Sequence, residues 1–114
     1  MGGPSRRVIV RAMAQEQLRA LHTYIVESGL PVIADRYIDA LLRHCDSLGD
    51  FPMRGVARED LRPGLRLTHY KGRAVIAYAV RPDQVEVLGV FYGGQDVNAA
   101  FEVDDSSQPD DSEG

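Results

Sequence analysis

The chain has 114 residues, of which 44% are hydrophobic and 26% charged, a composition typical of one globular domain and not of a disordered chain. No apolar run is long enough to span a bilayer, and the first residues lack the apolar stretch of a secretory signal, so we expect a cytoplasmic protein. The single cysteine, Cys45, excludes an internal disulfide.

The formal net charge of −4 is unevenly distributed along the chain. Residues 103–114 carry five acidic residues and no basic one, whereas residues 54–81 carry seven basic residues and two acidic ones. Twelve of the 13 basic residues are arginines, whose guanidinium group binds carboxylates and phosphates through paired hydrogen bonds. The segment 54–81 therefore predicts contact with an acidic protein segment or a nucleic-acid backbone, unless its arginines are ordinary solvated charges.

The N-terminal half predicts one strand followed by two helices. The short, β-branched stretch RRVIVR, residues 6–11, predicts the strand. A first helix is expected to end at Gly29, and Pro31 opens a second helix that ends at Gly49. The short connection predicts an antiparallel helical hairpin. Apolar residues recur on one face of each helix, at Ala14, Leu18, Leu21 and Ile25 in the first and at Ala34, Tyr37, Ile38, Leu41, Cys45 and Leu48 in the second.

The C-terminal half predicts a loop followed by three strands. Residues 50–64 contain two prolines and two glycines and are expected to form the loop. The strands are expected at LRLTHY, RAVIAYAV and VEVLGVFY, and their short connections require antiparallel pairing. Gly93 and Gly94 break the sheet, and residues 95–102 are expected to form one or two helical turns.

Together these elements predict an α+β fold with an N-terminal strand, an antiparallel helical hairpin, a three-stranded antiparallel meander and a short C-terminal helical turn. We expect a single domain at residues 1–102 and a disordered acidic tail at residues 103–114. A sheet of about four strands would carry the hairpin on one face and leave the other face partly free.

Three stretches of sequence are informative beyond their secondary structure, YIVESGLPVIADRYIDAL in the hairpin, LGDFPMRGVAREDLRPGLR in the loop and VEVLGVFYGGQD at the last strand. Together with the element order, they resemble the RelE/ParE superfamily, the toxin halves of bacterial type II toxin–antitoxin pairs. The resemblance covers residues 6–101 and implies the same β-αα-βββ order.

The end of the last strand separates two branches of this superfamily. The resemblance implies that its ribosome-dependent messenger-RNA endonucleases carry basic and aromatic groups there, because RNA cleavage without a metal needs an acid, a base and a cation. In this chain the corresponding pair is Gly94 and Gln95, which carry no charge and no titratable proton, and Asp96 would repel a phosphate. This departure favours the ParE-like branch, which binds DNA gyrase and traps its complex with cleaved DNA. A simpler interpretation of the glycines is a strand end that needs positive φ.

Two sets of site residues follow from these branches. A gyrase-binding toxin has no catalytic residue, and its antitoxin- or target-binding residues are expected to be Arg58, Arg62, Arg66, Lys71 and Arg73. The first three have the alternative of pairing within the molecule, for example with Glu59 or Asp60.

An endonuclease would instead use His69, Lys71 and Arg73, with Tyr92 or Tyr78 as a further group. These side chains supply an imidazole that titrates near neutrality, two cations and a phenol. Alternation along a strand would place the first three on one face.

The resemblance implies a cognate antitoxin as partner in a hetero-oligomer, with DNA gyrase as the expected target and DNA contact only through the antitoxin. The antitoxin is expected to fold across this domain as a helix or strand laid on the exposed sheet. A third alternative is a relative that binds an antitoxin without being toxic. No metal ion is expected, because metal-ligand spacing is missing among His22, His44, His69 and Cys45. No cofactor is expected, because Gly93-Gly94 is too little for a nucleotide-binding loop, and no membrane contact, because no apolar run spans a bilayer.

Overall fold

The computed structural model describes residues 5–106, with side chains described for residues 5–101. The α+β order predicted from the sequence is confirmed. The elements follow one another as β1 (Arg7–Val10), α1 (Ala12–Glu27), α2 (Pro31–Ser47), β2 (Val56–Ala57), β3 (Leu65–Tyr70), β4 (Ala74–Val80), β5 (Gln84–Tyr92) and α3 (Val97–Ser106).

Details of this arrangement differ from the expectation. Strand β2 lies in the segment expected to be a loop, so the sheet has five strands. Helix α3 has 10 residues instead of one or two turns. Asp96 caps its start, because its carboxylate accepts a hydrogen bond from the Ala99 N–H (3.1 Å). It reaches Ser106, so the first residues of the segment 103–114 are helical where disorder was expected. The rest of that segment lies outside the described residues.

The strands form one sheet in the order β1-β5-β4-β3-β2. Strand β1 runs parallel to β5, and the other neighbours pair antiparallel. The β4–β5 register shifts at Leu88, because Ala77 pairs with Gly89 whereas Tyr78 pairs with Val87. This β-bulge changes which residues of β5 face the helices, from odd-numbered positions before it to even-numbered positions after it.

The helical hairpin covers one face of the sheet. Gly29, at φ +88°, ends α1 by donating its N–H to the Val26 carbonyl (2.9 Å), and Pro31 occupies the first turn of α2. The predicted apolar stripes are buried between the helices and the sheet and form the main core with residues of three strands. The main core contains Ala14, Leu18, Leu21, Ile25, Ala34, Leu41, Cys45, Leu48, Tyr70, Ala74, Ile76, Tyr78, Val85, Val87 and Val90.

The opposite face of the sheet carries a second, smaller core. Its buried members come from the loop before β3, from the central strands and from α3, and they are Leu61, Leu65, Ala77, Phe91 and Phe101. The rings of Phe91 and Phe101 pack with their centroids 6.2 Å apart. Helix α3 therefore occupies part of the face that the sequence led us to expect as partly free.

The carboxylate of Glu86, on β5, contacts three polar side chains, those of Arg11, Gln84 and Arg81. Its carboxylate accepts a hydrogen bond from Arg11 (2.8 Å) and another from Gln84 (2.7 Å), and it lies 3.7 Å from Arg81. The hydrogen bond from Arg11, followed by that from Gln84, lowers the pKa of Glu86 below its usual value of 4.5.

The contribution of Glu86 to stability is expected to depend on pH. A carboxyl group with a depressed pKa in the folded state stabilises the fold above its unfolded pKa, and this stabilisation is lost as pH falls through the folded pKa. Relative to Glu86→Gln, the wild-type chain should be more stable by up to about 1 kcal/mol near neutrality. The difference should vanish in acid. Urea unfolding of both proteins from neutral to acidic pH measures it, and a difference that grows in acid would contradict the assignment.

Candidate functional site

Three of the arginines expected to bind a partner have contacts within the molecule, and the first two, Arg58 and Arg62, contact other side chains. Arg58 forms a bidentate pair with Asp60, at 2.9 and 2.8 Å, and the hydrogen bond lowers the pKa of Asp60. The guanidinium of Arg62 lies 4.9 Å from the centroid of the Phe101 ring, within the range of a cation–π contact. A role in binding stays a prediction for both, because a partner would compete with these contacts.

Arg66 holds the loop that precedes β2. It donates from Nη2 to the carbonyl oxygens of Met53 (2.8 Å) and Gly55 (3.1 Å). Across the β3–β4 pair, the buried Tyr78 donates its hydroxyl to the Arg54 carbonyl and lies 3.0 Å from that of Pro52. The two side chains therefore fix the loop from the strand face. Their pairing depends on the register of β3 against β4, which the sequence does not reveal.

Gly93 and Gly94 form the turn from β5 to α3. Their φ angles are +65° and +89°, in the left-handed region that favours glycine, and a Cβ at either position would meet nothing within 4 Å. Glycine is therefore favoured at both positions by the backbone conformation and not by a lack of space for a side chain. Gln95 accepts the Tyr92 N–H on its side-chain oxygen (2.8 Å), and Asp96 caps α3. This agrees with the simpler interpretation of the glycine pair.

The four residues of the endonuclease alternative lie in different surroundings. His69 is exposed between the buried Thr68 and Tyr70 and points to the sheet face opposite the helical hairpin. Lys71, at φ +52°, stands in the β3–β4 turn with Nζ 5.6 Å from the Tyr70 ring centroid. Arg73 points to the α1 side. The turn interrupts the strand alternation, so the structure does not place His69, Lys71 and Arg73 on one face.

A groove of about 530 Å³ lies between α1 and the second half of β5. Arg73 is the charged residue among those that line it. Tyr24, 61% exposed, stands on α1 with its ring centroid 6.4 Å from that of Tyr92. The lining residues are Gln17, Ala20, Leu21, Tyr24, Arg73, Val90, Tyr92, Gly93 and Gln95.

Sequence reasoning identified Arg73 and Tyr92 but missed the contribution of α1 to this groove. Gln17 and Tyr24 are seven residues apart, so they share a helix face beside the apolar stripe. That spacing is the signal that would have indicated them, although it does not tell which strand the face approaches.

A chain of aromatic rings continues from the groove into the core. Tyr37 packs against Tyr92 and Tyr70, with centroids 6.1 and 5.7 Å away, and His44 lies 5.0 Å from Tyr70. The Tyr37 hydroxyl and His44 Nε2 are buried without a hydrogen-bond partner among the described residues. Burial raises the pKa of Tyr37, and burial followed by Arg54 lowers the pKa of His44, so both are neutral at pH 7. The observed contacts of Tyr37 and His44 are therefore packing contacts between aromatic rings.

Among residues 5–101, whose side chains the structure describes, no group of three or more histidine, cysteine or acidic residues could hold a metal ion. Burial raises the pKa of the Cys45 thiol to about 12, so the thiol stays protonated and unreactive. No helix in the same part of the chain is long and apolar enough to cross a membrane.

Comparisons with known proteins place this fold. Among solved structures, a chain from the "Chromosomal ParDE TA system from P. aeruginosa" superposes with a TM-score of 0.67 at 16% sequence identity, covering 78% of this chain and 97% of that one. A search of curated proteins found no match. Residues 8–97 match the family described as "ParE toxin of type II toxin-antitoxin system, parDE". The chain therefore belongs to the ParE family of toxins of type II toxin–antitoxin systems.

Proposed function

We propose that this toxin inhibits DNA gyrase and that a cognate antitoxin neutralises it in a hetero-oligomer. The observation that carries the proposal is the end of β5, where Gly93, Gly94 and Gln95 shape a turn and supply neither a cation nor a titratable proton. A metal-free nuclease needs both kinds of group beside the phosphate. A toxin that acts by binding does not.

The surroundings of the alternative catalytic residues support the same conclusion. His69 lies on the sheet face away from α1, whereas Arg73 and Tyr92 line the groove against α1. A general base and the cation that stabilises a phosphorane must act on one phosphate group, so their side chains must converge. The side chains of His69 and Arg73 lie on different sides of the sheet and do not converge.

Of the five predicted binding residues, Lys71 and Arg73 are the ones we propose as the principal contacts to the antitoxin or gyrase. Both are exposed at the β3–β4 turn, and Arg73 lies beside exposed aromatic surface. Arginine and tyrosine are the residue types that dominate the binding energy of protein interfaces. Arg66 is instead proposed as a positioning residue, because its guanidinium is already bonded to the Met53 and Gly55 carbonyls.

The first test is a supercoiling assay on purified DNA gyrase with increasing amounts of this chain. We expect loss of supercoiling that is restored by the purified product of the neighbouring reading frame, the candidate antitoxin. Full gyrase activity at saturating toxin would refute the proposal, and cleavage of messenger RNA on translating ribosomes would replace it with the nuclease alternative. Antitoxin binding without either effect would identify a non-toxic relative.

Replacing Lys71 and Arg73 together by alanine is expected to weaken gyrase inhibition, antitoxin affinity or both by about tenfold or more. The matched control replaces Arg36 and Arg43, two exposed arginines on α2, and should leave both quantities within about twofold. Titrations with gyrase and with antitoxin, made separately, tell which partner the turn contacts. If both double variants inhibit gyrase and bind the antitoxin equally well, Lys71 and Arg73 are not the principal contacts to either partner.

A further inference from the structure

Strand β2 forms one edge of the sheet, and its outer side offers a backbone donor and a backbone acceptor at the same residue. The Arg58 N–H donates to the Leu65 carbonyl (2.8 Å), so the backbone of Arg58 is directed towards β3. Because backbone groups alternate sides along an antiparallel strand, Ala57 directs its N–H and its C=O away from β3. The described part of the chain provides no strand on that side.

An outward-facing N–H and C=O at one residue are complementary to the same pair of groups in a second copy. In a hydrogen-bonded pair of an antiparallel ladder, the two opposed residues exchange both N–H···O=C bonds. Two copies of Ala57 related by a two-fold axis satisfy this pattern, and the axis makes the contact isologous. The two sheets would then continue into each other through β2.

Exposed apolar side chains lie on both sides of this edge. Phe51, Met53 and Val56 are each more than half exposed. Val56 lies opposite Leu67 of β3, on the sheet face that carries the second core. Phe51 and Met53 belong to the loop before β2, which Tyr78 of the main core contacts from the hairpin side. Phenylalanine and methionine are enriched in protein interfaces, so a second copy would find apolar surface on either face of the paired strands.

The loop before β2 is already held in one conformation. Arg66 donates to the carbonyl oxygens of Met53 and Gly55, and the Tyr78 hydroxyl lies 3.0 Å from that of Pro52. A surface that is ordered before association loses less conformational entropy on binding. The exposed apolar side chains are therefore presented on a prearranged backbone.

The charges beside β2 favour a second copy as the occupant of this edge. Arg54 precedes the strand, whereas Glu59 and Asp60 follow it. Antiparallel pairing places the residues before the strand of one copy beside those after the strand of the other, so each Arg54 would approach carboxylates of the second copy. Within the described residues the guanidinium of Arg54 donates to Ser47 Oγ (3.0 Å) and lies 5.3 Å from the Phe51 ring centroid, without an acidic partner.

The alternative interpretation of so short a strand is an edge protected against association. Natural edge strands are commonly protected by prolines, bulges or unpaired charges. The two residues of β2 are Val56 and Ala57, which supply none of these. The charge of the following Arg58 is balanced by its bidentate pair with Asp60.

We propose that the toxin forms a symmetric homodimer in which the two β2 strands pair antiparallel about Ala57. The inference does not depend on gyrase as the target, because it concerns a second copy of the chain. The paired strands are short, so we expect a weak dimer with a dissociation constant on the order of tens of micromolar.

Sedimentation velocity of the wild-type chain alone, from about 1 µM to about 1 mM, measures this association. The average mass should rise from that of one chain towards that of two. Ala57→Pro removes the outward N–H but no hydrogen bond to β3, so this variant should stay monomeric over the same range. Circular dichroism confirms that the variant is folded. A wild-type chain that stays monomeric up to about 1 mM would overturn the proposal.

Two valines provide a matched pair of variants. Val56 on β2 is 66% exposed, and Val32 at the start of α2 is 60% exposed. With Ala57 on the two-fold axis, Val56→Lys would place a cation opposite Arg58 of the second copy and should weaken the dimer by about tenfold or more. Val32→Lys should change the dissociation constant by less than about twofold. Equal dissociation constants for the two variants would contradict an interface at β2.

A cross-link tests the register of the pair. Burial keeps the Cys45 thiol protonated, so a cysteine introduced at the surface is the reactive one. Opposed residues of a hydrogen-bonded pair have Cα atoms about 5.5 Å apart, within the range of a disulfide. Under mild oxidation, Ala57→Cys should form a covalent dimer about tenfold faster than Ala99→Cys, an exposed control on α3. Equal rates would exclude pairing about Ala57.

Gyrase assays separate this proposal from the proposed function. A wild-type chain that inhibits gyrase but stays monomeric leaves the proposed function standing and refutes the dimer. If in that case Val56→Lys inhibits gyrase less than Val32→Lys, the β2 edge contacts gyrase instead of a second copy. A wild-type chain that dimerises through β2 without affecting gyrase supports the dimer and refutes the proposed function.

Discussion

Replacing Leu41 by alanine is expected to lower the free energy of unfolding by about 2–5 kcal/mol. Leu41 is 0% exposed, at the centre of the α2 stripe that packs on the sheet, so truncation leaves a cavity that the surrounding side chains cannot fill. Urea unfolding followed by far-UV circular dichroism measures the loss.

The adjacent Leu42 provides the matched control. It is 38% exposed, and Leu42→Ala should cost less than about 1 kcal/mol because little apolar surface is removed from the core. Equal losses for the two leucines would contradict the assigned orientation of α2, and with it the position of the hairpin that forms one wall of the groove.

Gly49→Ala is expected to destabilise the chain by about 3 kcal/mol. A Cβ at this position would lie 2.1 Å from the Arg6 carbonyl oxygen, a backbone atom of the residue immediately before β1. The two residues are also joined by the Arg6 N–H, which donates to the Gly49 carbonyl (3.0 Å). Accommodating the methyl group must therefore displace β1 from the end of α2.

Gly29→Ala separates this clash from backbone strain. Gly29 has φ +88°, and a methyl group there would meet nothing within 4 Å, so its substitution should cost only about 1–2 kcal/mol for the left-handed conformation. Chemical denaturation of both variants provides the comparison. A cost at Gly49 no greater than that at Gly29 would show that β1 does not pack there.

The elements that the sequence predicted well are those with a local cause. The apolar period of α1 and α2, Gly29 between them and Pro31 at the second start determine the hairpin through contacts within a few residues. Likewise, Gly72 in the β3–β4 turn has φ +71°, a conformation that glycine adopts readily. The short connections between β3, β4 and β5 require these strands to pair antiparallel.

The features that were missed depend on contacts between distant segments. The bulge at Leu88 lies inside a run that is otherwise apolar, where Gly89 is the one local sign of an irregular strand and does not tell that the facing residues change there. Strand β2 has two exposed residues and exists because β3 pairs with it. The covering of the second sheet face depends on Phe101 meeting Phe91, ten residues earlier in the chain.

The candidate site shows the same division. Charge alone indicated Arg73 and the other basic residues of segment 54–81, but it could not tell which of them have partners in the fold. Arg66 differs from Arg73 because the register of β3 aims it at the loop carbonyls. Gln17 and Tyr24 belong to the groove only because α1 packs against β5, a contact that no local pattern reports.

The most direct test of the proposed function is to trap the gyrase intermediate itself. Purified gyrase, ATP and plasmid are incubated with this chain, then denatured and treated with protease. If the chain poisons gyrase, linear DNA whose ends had been covalently held by the enzyme should accumulate, and the antitoxin should abolish it. If the plasmid stays supercoiled and no protein-linked DNA appears at saturating toxin, gyrase is not the target.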